Sequence, residues 1–467
     1  MELFIDYINR SFVFFIGLGA SAMMFFIITL LSLVMKVNLS KSLEGGLRMA
    51  IALTGMGAII SLLTSQFGPA LNLFVERTGS SLVINDLGWA VLALITWSSV
   101  YTLLFVFVCL IVNLVMILLK KTNTLNVDLF NIWHLSILGL IIDFYSGYIF
   151  ISILFVAFIY VLMLKNADVM KPRLNSVLNY DSKNITTTAH PAFLFNPIVL
   201  IFNKIIDRLL PSIDKLDFNA DTLNQKIGFW GSKFAIGTYL GIFVGLLSNS
   251  SLQEMLALSF IGGVCIELFG IVGSWFGPAI EPLSQGVTRT MTQKFGGRKL
   301  YIGIDWAIVG TRAEIWATAN ILAPFLIVIA LFLRGNQTLP LGGIIMTCLV
   351  PSLLLITQGK IIRMTLIGII SIPLYLWAAT EIAEFTTQTS LSLGTYPSGL
   401  PDNSLFTSIE AIPIEKLIAL WIGRTAAQPT YLSLIMIAGA LILYSFLFLW
   451  YFKAMEKETS EEKKAVN

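Results

Sequence analysis

Few residues in this sequence are placed where ionic chemistry could occur. It has two histidines. His134 stands in Asn131-Ile132-Trp133-His134, at the start of a short apolar segment. His190 stands in Thr186-Thr187-Thr188-Ala189-His190-Pro191, in the stretch between two apolar halves. Asp305 precedes a long apolar run whose start carries Arg312 and Glu314. Glu281, Glu267 and Lys233 lie in or beside neighbouring runs. An ionisable group at membrane depth is costly and tends to face a cavity, so solute binding and proton transfer are to be sought at these positions. Each also has a plainer reading. His134 fits an interfacial aromatic belt, and His190 fits an ordinary loop. Asp305 fits a cap on the positive end of a helix, and Lys233 a side chain that snorkels to the interface. No phosphate-cradling loop, metal-ligand cluster or nucleophile-base pair accompanies them. Neither a cofactor nor a metal is expected, and the pattern suits a carrier rather than an ATP-driven pump. Cys109, Cys265 and Cys348 each sit inside an apolar run without CxxC spacing, which reads as structural burial.

The elements that must position these groups are membrane helices. Of 467 residues, 56% are hydrophobic and 12% charged, against roughly 25% charged in soluble domains; mean hydropathy is +0.83. A soluble enzyme, a disordered regulator and a disulfide scaffold are excluded. A net charge of +3 gives no ground for nucleic-acid binding. A bilayer core takes about 20 apolar residues per helix. Runs that reach or approach this length cover 12–35, 49–64, 91–119, 129–142, 148–164, 228–247, 255–272, 313–333, 339–356, 361–379 and 431–452. The fold class is therefore an all-α polytopic membrane protein with about eleven transmembrane or re-entrant segments. Two runs are notched, at Trp97-Ser98-Ser99 and at Ala323-Pro324. The chain divides into a first membrane repeat (1–164), a central loop with an amphipathic segment (165–225) and a second repeat (226–383). A polar loop (384–430), a last transmembrane helix (431–452) and a cytoplasmic tail (453–467) follow. Lys36, Lys41 and Arg48 outweigh Glu44 after the first span, which puts the N-terminus outside and, with an odd number of crossings, the C-terminus in the cytoplasm. No cleavable signal peptide is read.

Phe67-Gly68-Pro69-Ala70-Leu71 recurs as Phe276-Gly277-Pro278-Ala279-Ile280, 209 residues on. Each copy leads through a basic residue (Arg77, Arg289) to an aspartate near a tryptophan. These are Asp86-Leu87-Gly88-Trp89 and Asp305-Trp306, the aspartates 219 residues apart. A long notched run, a short apolar piece and a full span follow each. Five segments per half, an odd number, place the halves in opposite orientations. That is the inverted-repeat plan of secondary transporters, with substrate held near the midplane by interrupted helices.

Asp86-Leu87-Gly88-Trp89, the run from Lys121 to Asp128, Asn131-Ile132-Trp133-His134 and the block from Phe295 to Asp305 together resemble the galactitol-type IIC permease of the bacterial phosphotransferase system. Gly335-Asn336 and Leu339-Pro340-Leu341-Gly342 continue the likeness, which runs over most of residues 1–385. The resemblance implies the fold of the ascorbate-type permeases: two inverted five-helix repeats plus one helix, a core domain that carries substrate by an elevator motion, and a V-shaped domain that makes a homodimer. It implies a bacterial cytoplasmic membrane, and uptake of galactitol or a related polyol or sugar coupled to its phosphorylation. The phosphoryl group would come from a phosphocysteine on a separate IIB protein charged by IIA.

In those relatives the substrate contacts include histidines at the positions of His134 and His190 and an aspartate at that of Asp305. Asp305 is the candidate catalytic residue. His134, His190, Asp305, Trp89, Glu281 and Glu314 form the candidate substrate-binding set, the two glutamates being rivals of Asp305 as base. Gly231-Ser232-Lys233 stands where the galactitol family has Gly-Glu-Pro, which leaves the particular polyol open. An ion-coupled polyol or organic-anion symporter of the same architecture is the alternative.

Overall fold

The computed structural model of the chain describes residues 19–78, 81–126, 128, 132–178, 185–186, 190–217, 228–294, 300–303, 309, 312–401, 404–409 and 412–466. The first half holds α1 (Gly19–Val34), α2 (Leu39–Thr78), β1 (Ile84–Asp86), α3 (Trp89–Ser98), α4 (Val100–Leu118), β2 (Thr124–Asn126), α5 (Ile132–Ser146) and α6 (Ile149–Leu178). The middle holds β3 (Ile185–Thr186), a 3₁₀ turn (Pro191–Phe195) and α7 (Asn196–Leu209). Then come α8 (Lys233–Leu247), α9 (Leu252–Gly273), α10 (Phe276–Lys294), β4 (Tyr301–Gly303), α11 (Ala313–Phe332), β5 (Thr338–Leu339), α12 (Val350–Thr357) and α13 (Ile361–Glu381). The chain closes with α14 (Ala383–Ser392), β6 (Phe406–Thr407), α15 (Pro413–Ala427) and α16 (Tyr431–Val466).

Among the described residues seven helical stretches are long and apolar enough to cross a membrane, and four shorter apolar helices accompany them. Apolar helices are what this composition must form, since lipid offers no partner for an open backbone. α4 shows how the faces divide. Phe107, Ile111, Val115 and Leu118 are exposed at helical spacing, as a lipid-facing stripe would be, while Phe105, Cys109, Asn113 and Met116 turn inward. α8 and α9 cross at small residues. A Cβ on Gly237 would lie 2.2 Å from the Gly262 carbonyl and one on Gly262 2.3 Å from that of Gly237, so only glycine allows the approach.

The notch at Trp97-Ser98-Ser99 is a break. Ser99 is extended (φ −91°, ψ 131°) and separates α3 from α4, and its N–H and the Thr102 hydroxyl both donate to the carbonyl of Thr96. The notch at Ala323-Pro324 is not a break, because α11 runs through it; proline fixes a helical φ and removes one N–H, which an apolar helix can absorb. The run 339–356 is not one helix either. It opens with β5, continues in turns and ends in the short α12. Pro340, Gly342 and Gly343 are poor helix formers, and the N–H groups of Leu341, Gly342 and Gly343 bond Asp86 instead of a helical neighbour. The stretch 384–430 contains α14, β6 and α15, and α15 packs along α5 with Gly423 against Ile142 and Tyr145.

Among the described residues six strands of two or three residues make two parallel sheets, in the orders β5-β1-β6 and β2-β4-β3. Each sheet thus joins distant parts of the chain. In the first, Ile84 pairs with Thr338 and Asn85 with Phe406. In the second, Tyr301 pairs with Thr124 and Ile302 with Ile185. The apolar core is continuous across both halves. Through it runs a buried polar knot: Asn196 donates to Tyr451 (2.9 Å), Tyr451 to Asn166 (2.8 Å) and Ser352 to Asn196 (2.7 Å). These bonds tie α6, α7, α12 and α16 together.

A cavity of about 320 Å³ is lined by Arg173, Asp207, Asp214, Lys360, Arg363 and Glu458, among others. Arg363 pairs with Asp207 and Asp214, Lys360 with Asp214, and Arg173 with Glu458 at 3.2 Å. Burial works against ionisation of Asp214, but Lys360 and Arg363 outweigh it and hold the carboxyl below the usual carboxylate range. A depressed carboxyl stabilises the fold above its unfolded pKa, about 4, and that contribution is lost as pH falls through the folded value. Thermal melts between pH 7 and pH 3 are expected to show a loss at the acid end that Asp214→Asn reduces. At neutral pH the same substitution lowers stability by roughly 1 kcal/mol, limited by solvent screening. An unchanged acid limb in the variant would refute a stabilising role for this pairing.

Candidate functional site

The second sheet gathers the segments that carry the candidate residues. Its three strands run parallel, so their C-terminal ends, Asn126, Gly303 and Thr186, lie side by side. His134 follows Asn126 by eight residues and His190 follows Thr186 by four. The strand starts are pinned by side chains. Asn113 donates to the Thr124 carbonyl (2.8 Å) and accepts from Asn126 N (2.9 Å). Asp168 accepts from Asn123 N (3.1 Å) and from the Thr124 hydroxyl (2.8 Å).

His134 lies in the first turn of α5 and is 7% exposed. Its ring stacks on Trp133, centroids 3.6 Å apart. Trp133 meets Trp89 at 6.3 Å, and Trp89 meets Phe276 at 5.8 Å. Trp89, the first residue of α3, therefore joins His134 through one aromatic neighbour. His190 is also 7% exposed and caps the 3₁₀ turn. Its Nδ1 accepts from the Ala192 N–H at 3.0 Å, so the proton of the neutral ring sits on Nε2. Trp89 and His134 thus belong to one aromatic cluster, and His190, 56 residues further on in sequence, follows another strand of the same sheet.

The carboxylates are placed differently. Asp305 lies outside the described residues. Glu314, in the first turn of α11, is gripped by Arg312 through Nε (3.0 Å) and Nη2 (2.6 Å) and lies beside Gly359 in the turn between α12 and α13. Glu281 is exposed on α10 and accepts from Gln285 at 3.0 Å. Among the described residues no three metal-ligating side chains come together. Cys109, Cys265 and Cys348 are all buried, so none offers an accessible thiol.

Sequence reasoning passed over Glu415 and Lys416, which are 2% and 1% exposed in the first turn of α15. Tyr444 of α16 donates to Glu415, and α15 packs on α5, the helix that carries His134. Two charges just after Pro413 read as the solvated first turn of a helix, and nothing local in the sequence says otherwise.

Asp86, at the end of β1, is fully buried. Its Oδ1 accepts from Gly88 N (3.0 Å) and Ile409 N (3.1 Å), its Oδ2 from Leu341 N (3.2 Å) and Gly343 N (2.7 Å). A Cβ on Gly343 would stand 2.8 Å from Oδ2, so glycine is what lets that N–H approach. This carboxylate is a structural hub.

Apolar helices, seven stretches of them among the described residues long enough to cross a membrane, and two short parallel sheets that join distant segments make the architecture of a multi-pass helical membrane protein. Residues 14–399 match the family described as the PTS system sugar-specific permease component. Over 391 residues the chain is 25% identical to the galactitol-specific EIIC component of the PTS system of Escherichia coli strain K12, covering 83% of this chain and 85% of that one. The counterpart in Escherichia coli O157:H7 gives the same values. The chain belongs to the sugar-specific permease (IIC) family of the phosphotransferase system.

Proposed function

We propose that this protein takes up galactitol or a closely related polyol and presents it for phosphorylation by a separate phosphocysteine IIB protein, itself charged by IIA. The observation that carries the reading is the family match over residues 14–399, joined to the similarity with galactitol-specific relatives. His134 and His190 bind substrate hydroxyls, Trp89 forms an apolar wall beside them, and Asp305 orients the accepting hydroxyl and takes its proton as the new P–O bond forms and the S–P bond breaks. Glu281 and Glu314 remain rivals for the last role. The burial of all three cysteines agrees with a phosphoryl donor on another polypeptide.

The same proposal includes two inverted five-segment repeats plus one helix, a core domain, a V-shaped dimerisation domain and an elevator motion in a bacterial cytoplasmic membrane, with the N-terminus outside. Support for the repeats comes from the exchanged strands. β1 of the first half pairs with β5 and β6, while β4 of the second pairs with β2 and β3.

The test is labelled galactitol offered to proteoliposomes of the purified protein with phosphorylated IIB. Galactitol phosphate is the expected product, and accumulation of free galactitol would favour the ion-coupled symporter instead. Asp305→Asn is expected to cut phosphorylation by roughly 10²–10⁴-fold, and near-normal turnover would move the role to Glu281 or Glu314.

A further inference from the structure

His190 is held through a turn that reaches back to the C-terminal helix. Its carbonyl accepts from Phe193 N at 2.9 Å, which closes the 3₁₀ turn, and its Nδ1 accepts from Ala192 N at 3.0 Å. The Phe193 carbonyl, on the far side of that turn, accepts from Asn196 N and, at 2.8 Å, from Nδ2 of Asn166 on α6. Asn166 Oδ1 in turn accepts from the Tyr451 hydroxyl of α16 at 2.8 Å. The same hydroxyl accepts from Asn196 Nδ2 at 2.9 Å, and Asn196 Oδ1 accepts from the Ser352 hydroxyl at 2.7 Å. Asn166, Asn196, Ser352 and Tyr451 are all buried.

The direction of each bond matters, because an asparagine amide has an acceptor end and a donor end. By donating to Oδ1, the Tyr451 hydroxyl keeps the Nδ2 end of Asn166 turned toward the Phe193 carbonyl. A reversed amide would set two oxygens against each other in a buried place, where an unmet polar group is costly. Tyrosine is suited to this because its hydroxyl donates and accepts at once; phenylalanine would fill the same space with neither bond. The two helices are matched as well. Arg173 bonds Glu458 at 3.2 Å, and these residues stand seven positions beyond Asn166 and Tyr451. Seven residues are about two turns, so α6 and α16 run in the same direction and meet along one face of each. α16 lies beyond residues 14–399, the part that matches the permease family. We propose that Tyr451, acting through the Asn166 amide, is a positioning residue for His190, so that the C-terminal helix sets how the imidazole meets the polyol. The inference rests on the reading of His190 as a substrate ligand.

The test uses Tyr451→Phe and Asn166→Ala in the full chain. Ser352→Ala is the control, since it removes a buried bond of the same knot without touching the Asn166 amide. Three readings are taken: the thermal midpoint, kcat and KM for galactitol with phosphorylated IIB, and the NMR signals of labelled histidine. The chain has two histidines, and His190→Ala assigns the signal of its own ring. Tyr451→Phe and Asn166→Ala are each expected to raise KM roughly 5–10-fold, with a smaller change in kcat, and to move the His190 signal. In a His190→Ala background neither raises KM further. Ser352→Ala lowers the midpoint but leaves KM within about twofold of wild type and the His190 signal in place. A lowered midpoint with unchanged KM and an unmoved His190 signal in Tyr451→Phe overturns the proposal, since the knot is then structural only. An equal rise in KM for Ser352→Ala overturns it too, and so do losses that multiply with that of His190→Ala. Asn166→Ala decides the matter if Tyr451→Phe is not recovered folded. If His190→Ala itself leaves phosphorylation unchanged, the preceding reading of that histidine fails, and the NMR signal alone decides whether Tyr451 sets the ring.

Discussion

Asp86→Ala is expected to destabilise the protein more than any other single change considered for it. The substitution removes a carboxylate that accepts four backbone N–H groups and leaves all four donors in a place with no water access. An unmet buried donor costs about 1–3 kcal/mol. Even with partial relaxation the loss comes to roughly 5 kcal/mol, comparable to the whole stability of many domains. The damage would also spread. Leu341, Gly343 and Ile409 belong to stretches with little regular structure, and β1 holds β5 and β6 only through two or three residues each. Asp86→Asn should be intermediate, since it keeps one acceptor oxygen and turns an NH₂ group toward two donors. The measurement is the thermal midpoint in detergent together with the yield of monodisperse protein. A loss under about 1 kcal/mol for Asp86→Ala would mean that the donors find other partners.

The second large effect concerns the histidines. His134→Ala and His190→Ala should each lower galactitol phosphorylation by roughly 10–100-fold, the range for a positioned hydrogen bond lost from a shielded site. His134 is held by its stack on Trp133, and His190 by its bond from Ala192 N and its contact with Phe193 at 5.3 Å. If both rings hold the same substrate, as proposed, the double variant should lose less than the product of the two single losses. Losses that multiply cleanly would show two independent roles. Unchanged kcat/KM in either single variant would remove that residue from the site. Folding is checked alongside, since neither ring carries the hydrogen bonds that make Asp86 a hub.

Much of this was legible in the residues. The notch at Trp97-Ser98-Ser99 became a break because two small polar residues beside a tryptophan interrupt an apolar run. His134 and His190 stood out because a chain so poor in charge has few other candidates. Other features escaped. A strand of two or three residues has no alternation to detect, so none of the six was visible and 339–356 looked like a span. Glu415 and Lys416 looked solvated, since burial by a neighbouring helix leaves no mark on the local sequence.

The amino-acid sequence alone determined that this is a multi-pass membrane protein of the IIC family. Transfer of apolar groups into lipid depends on composition and run length, and family motifs are contiguous, so both can be read along the chain. Only the tertiary structure decided the part played by Asp86. The donors to Asp86 include residues 255, 257 and 323 positions away. The pairing of β1 with β5 and β6 that brings those donors in exists only once distant strands have met. By sequence Asp86 looks like the counterpart of Asp305; by hydrogen bonding it is a plug, because a buried carboxylate is defined by the groups that surround it in space and not by the residues beside it in the chain.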